Sequence, residues 1–137
     1  MVKNTYEENR QLPSSYKNLV IEKSNLLLQA NMHELQQQFK DASNLFAKSA
    51  EIEAQLAETV QEHGRPDLAA VHLVSEMSCW AAAGDTYRAL TQGQKMLALS
   101  FLTPEQQTHV RDFIEQLEER RQAWMASWRH HQAMATA

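Results

Sequence analysis

The chain has 137 residues, 43% of them hydrophobic, with three glycines, three prolines, one cysteine and a formal charge of −4. That length suits a single domain that buries a core without disulfides or a structural metal, and interspersed charge of both signs excludes the strongly basic face that a broad grip on nucleic acid requires. No uninterrupted apolar run approaches the ~18 residues needed to cross a bilayer, the polar residues 1–10 lead into no apolar stretch of signal-peptide length, and Cys79 has no intrachain partner. A cytoplasmic protein, without nucleic-acid or membrane contact, is the expectation.

Most of the glycines and prolines interrupt long runs of Ala, Leu, Glu, Gln, Lys and Met, at Pro13, Gly64 with Pro66, Gly84 and Pro104. This punctuation predicts an all-α fold of about five helices in antiparallel hairpins, as a helical bundle or a short stack. Residues 1–12 read as a flexible arm, 13–133 as one helical domain and 134–137 as a frayed end. The first helix is expected over residues 16–30, with Ser14 or Ser15 capping its free N–H groups. The second spans 34–63, where Leu35, Ala42, Ser49 and Leu56 recur every seven residues and Phe39, Phe46, Glu53 and Val60 interleave, so one stripe faces inward. Glu53 breaks the stripe and Ile52 beside it is the expected apolar substitute. Small Ala42 and Ser49 admit a close neighbour, with the Ser49 hydroxyl bonded back one turn. Residues 31–33 hold no Gly or Pro, so 16–63 also reads as one long bent helix.

Gly64 suits a left-handed cap, Pro66 stops the preceding helix, and Asp67 is placed to cap a third helix running to about residue 83, with Ala69, Leu73, Met77 and Trp80 inward. Gly84-Asp85 repeats the device in two residues and predicts a tight hairpin with a fourth helix over 86–99. Thr103, Pro104 and Gln106 form a capping box that opens a fifth helix with the stripe Val110, Phe113, Ile114, Leu117, Trp124 and Trp128, interrupted by Arg121, running to the His130-His131 region.

The segment from Trp80 through Ala81, Ala82, Ala83, Gly84, Asp85, Thr86, Tyr87, Arg88 and Ala89 to Leu90 resembles the turn of a tetratricopeptide-repeat hairpin: an aromatic, small residues, Gly-Asp, then an alanine five residues after the glycine. Gly64 and Ala69 repeat that spacing, a turn glycine followed by an alanine where two helices come closest. The two glycines lie 20 residues apart rather than the family's ~34, Gly93 stands where an aromatic is expected, and the likeness covers about one repeat. It implies a stacked-hairpin scaffold whose groove takes a peptide or partner helix.

Three constellations carry possible chemistry. His72, Glu76 and Cys79 share one helix face at i, i+4 and i+7, the spacing for metal ligands or an acid–base pair beside a nucleophile, or for a packed cysteine and a hydrogen-bonded His–Glu pair. The many glutamates suggest a di-iron carboxylate bundle, but no glutamate has a histidine three residues later. Arg120, Arg121, Trp124, Trp128, Arg129, His130 and His131 gather the residue types of interface hot spots, or else pack the last helix on the core. With no phosphate loop, Cys-x-x-Cys pair or nucleophile elbow, the expectation is a non-enzymatic interaction protein, an adaptor, small chaperone or assembly factor, that needs no cofactor and binds a protein or peptide through Trp124, Trp128, Arg121, Tyr87 and Arg88. The alternatives are a self-associating helical homodimer and a metal- or ligand-binding bundle.

Overall fold

A computed structural model of the chain describes residues 12–135 and consists, over them, of five α-helices: α1 (Ser14–Leu35), α2 (Phe39–Glu62), α3 (Pro66–Ala82), α4 (Thr86–Leu97) and α5 (Pro104–Ala135). Extensive contacts join consecutive helices, α1 to α2, α2 to α3, α3 to α4 and α4 to α5. The result is an all-α bundle with α1 and α5 at its outer edges. Among the described residues, no helix is long and apolar enough to cross a membrane.

The turns follow the chemistry of their residues. Gly64 and Gly84 both take left-handed backbone, with φ of +70° and +83°, which glycine adopts without a Cβ penalty. Ala69 and Ala89, each five residues further on, are completely buried where adjoining helices meet. The Asp85 carboxylate accepts from the Arg88 N–H at 3.0 Å and caps α4. Thr103 and Gln106 close the reciprocal box at the start of α5, each backbone N–H donating to the other side chain at 3.0 and 3.1 Å.

Several expectations are corrected. Residues 16–63 form two helices, and the break falls at 36–38 rather than 31–33, because Gln37 enters the left-handed region at φ 61° without a glycine. No serine caps α1; Pro13 occupies that position and no side chain bonds there. Asp67 does not cap α3 either. It lies in the first turn, paired with Arg65 at 3.0 Å, and the guanidinium lowers its carboxyl. Residues 1–11 of the expected arm lie outside the described residues, but Leu12 is buried against Val60 and Ala69. Helix α4 stops at Leu97, and α5 continues past residue 133 to Ala135.

The main core joins Ala50 of α2, Ala70 and Met77 of α3, Met96 of α4, and Val110 and Leu117 of α5. Ser49 bonds back to the Leu45 carbonyl at 2.9 Å, which satisfies its hydroxyl at zero exposure. The predicted α2 stripe holds from Ala42 onward, whereas Leu35 and Phe39 flank the α1–α2 turn and stand exposed. Glu53 is not an outward interruption: it is 1% exposed, and Ile52 is buried as well. The stripe of α5 is core-facing through Leu117, but Trp124 and Trp128 are 64% and 47% exposed, because the 12-residue α4 only borders Trp124 across an open cleft and stops short of Trp128.

Candidate interaction site

Two side-chain systems stand out, one buried and one open. The buried one centres on Glu53. Its Oε1 meets the Lys23 ammonium at 2.9 Å and its Oε2 meets His72 Nδ1 at 2.7 Å. A carboxylate only accepts, so Nδ1 donates; in the neutral ring Nε2 then accepts from the Tyr16 hydroxyl, 2.8 Å away. Residues from α1, α2 and α3 thereby satisfy one another, and among the described residues no buried side-chain polar atom lacks a partner. Burial and the Glu53 charge both raise the Tyr16 phenol above its ordinary value, while Arg65 opposes them.

The His72, Glu76 and Cys79 face does not converge as the spacing allowed. His72 turns to Glu53, and the expected His–Glu pair is made with that residue rather than with Glu76. Glu76 instead accepts from the Trp80 indole N–H at 3.0 Å, and burial raises its carboxyl despite that bond. Cys79 is buried, and its thiol is pushed up to about 11 by burial and the Glu53 charge. Among the described residues no three His, Cys, Asp or Glu side chains are placed to hold a metal ion.

The open system lies at the α3–α4 turn, where α5 passes. Gly84, Thr86, Tyr87 and Leu90 form one wall of a cleft of about 650 Å³, and Arg120, Arg121 and Trp124 form the other. Tyr87 is 79% exposed and also borders a smaller depression of about 230 Å³ with Glu76, Arg88 and Lys95. In that depression the Arg88 guanidinium lies 4.5 Å from the Trp80 ring centre and 3.4 Å from an Asp85 oxygen, so ring and carboxylate both attract it.

Of the five residues singled out from sequence, Tyr87, Arg121 and Trp124 share the cleft, Arg88 sits across the Tyr87 ridge, and Trp128 stands one turn beyond on α5. Sequence reasoning did not single out Leu90, whose apolar side chain lines the cleft, and it gathered Arg120 with the α5 tryptophans without naming it among the binding residues. It also missed the Tyr16–His72–Glu53–Lys23 network, for which Glu53 in an inward heptad position was the available signal.

Comparison of the chain with protein families, with curated proteins and with solved structures finds no match.

Proposed function

We propose that the protein is a non-enzymatic interaction module, an adaptor or assembly factor of the cytoplasm, that receives a segment of a partner protein in the cleft between α4 and α5. The observation that carries this reading is the exposure of Tyr87 and Trp124 on facing walls of a concave apolar site rimmed by two arginines. Exposed aromatics beside arginine are the residue types that dominate binding energy at protein interfaces. The resemblance of the Trp80–Leu90 turn to a tetratricopeptide hairpin supports the same reading, since stacked hairpins offer their grooves to peptides.

The buried Tyr16–His72–Glu53–Lys23 system serves structure on this reading. Its hydrogen bonds close on themselves and fix α1 against α2 and α3.

The test is native capture of the tagged full-length chain from its own host, with and without nuclease, beside the Tyr87→Ala and Arg121→Glu variants. A stoichiometric protein partner that survives nuclease and falls at least tenfold with either variant is expected. A partner retained equally by both variants would contradict the assignment of the cleft.

A further inference from the structure

Trp124 and Trp128 prolong the stripe that α5 uses inside the bundle. Val110, Leu117 and Trp124 recur every seven residues, as do Ile114, Arg121 and Trp128. Val110 and Leu117 are buried and Ile114 half-buried, whereas the last members of both series are exposed. A seven-residue recurrence is the spacing at which one helix lies along another at about 20°. Helix α4 provides that neighbour for the first half of α5 and ends at the cleft. From Arg120 to His131 every residue except Met125 is exposed, Trp124 and Trp128 to 64% and 47%, and α5 runs on about 16 Å past Trp124, at 1.5 Å per residue, to Ala135.

Charge selects the kind of helix that completes the seam. No Asp or Glu follows Glu119 in the sequence, while Arg120, Arg121 and Arg129 do, in a chain whose net charge is −4. At 100° per residue, Arg120 and Arg121 fall on opposite flanks of the Trp124/Trp128 stripe, about 40° outside Trp124 and about 20° outside Trp128. A neighbour with an apolar stripe bordered by carboxylates matches this pattern on both sides.

Resting on the interaction-module reading above, we propose that the partner segment is an acidic amphipathic helix of another protein, laid along α5 from the cleft past Trp128. Its apolar side chains cover Trp124 and Trp128, and its carboxylates meet Arg120 and Arg121. Single-stranded nucleic acid and anionic membranes also attract tryptophan beside arginine, but neither makes use of a seven-residue seam continuous with a helix hairpin.

The test is fluorescence anisotropy of the full chain with two dye-labelled 21-residue peptides. One carries Leu at heptad positions a and d and Glu at e and g, and the other is the same composition scrambled. The heptad peptide is expected to bind at least tenfold more tightly than the scrambled one and to lose at least tenfold in Trp128→Ala, with the melting temperature of the variant measured beside it to show that the bundle is folded. Absent or equal binding of the two peptides overturns the proposal. Loss with Tyr87→Ala but not with Trp128→Ala also overturns it, while leaving the cleft module intact. Tighter binding of an oligo-dT strand or of phosphatidylserine vesicles overturns it in favour of those surfaces. A dimer of the chain alone in light scattering, abolished by Trp128→Ala, overturns it in favour of a second copy.

Discussion

Glu53 is held 1% exposed between Lys23 and His72, so its removal leaves an ammonium and an imidazole facing an apolar interior. Breaking a buried pair from one side costs about 3–5 kcal/mol, whereas replacing the whole set with apolar groups of similar volume is often neutral or stabilising. Glu53→Ala is therefore expected to lower unfolding free energy in urea by about that amount, and Glu53→Leu combined with Lys23→Met and His72→Leu to recover much of it. A single-variant loss below about 1 kcal/mol would show that water, not Glu53, satisfies Lys23 and His72. Cys79 tests burial from another side. With its thiol pushed up to about 11, the reactive thiolate is scarce at pH 8. Iodoacetamide is expected to label it slowly in the folded chain and rapidly in urea, with native labelling accelerating as pH rises toward that value; equal rates in the two states would contradict the burial. In the sequence, Glu53 was visible as a break in an inward stripe. Its meaning was not, because Lys23 and His72 lie on other helices and only the fold brings them together.

At the scale of elements, the turns were legible where a residue type has one structural use. Gly64, Gly84, Asp85 and the Thr103/Gln106 box each state a backbone conformation or a hydrogen bond. The α1–α2 break was not, since Gln37 takes left-handed backbone that its identity does not advertise. Gly93 shows another kind of hidden information. It lies buried inside α4, and a Cβ there would sit 2.9 Å from the Ile114 side chain and 3.1 Å from the Met77 sulfur, so its bareness sets how closely α5 approaches. A glycine-to-alanine change in a helix interior gains about 1 kcal/mol of propensity, but overfilling a close contact costs about 1–3. Gly93→Ala is expected to destabilise the parent, and to be neutral or stabilising once Ile114→Ala has opened the space, as read from a double-mutant cycle in urea. Equal effects in both backgrounds would mean that the α4–α5 contact yields freely.

At the scale of the whole molecule, the fold class was plain from composition and breaks, and the candidate surface was legible only as a set of residue types. Val110 to Trp128 reads as one continuous stripe, and nothing in it states that α4 is too short to cover the far half. Length mismatch between neighbouring helices turns two tryptophans from expected core into exposed surface. On the proposal above, a partner protein sits on this exposed half of α5. The most direct measurement replaces Trp128 with a photoreactive p-benzoylphenylalanine in the full chain, expressed in its own host, with Thr108 on the opposite half of α5 replaced likewise as the control. A discrete cross-link to one protein from position 128 and none from 108 is the result this account predicts; cross-links of equal yield from both positions, or from neither, would contradict it.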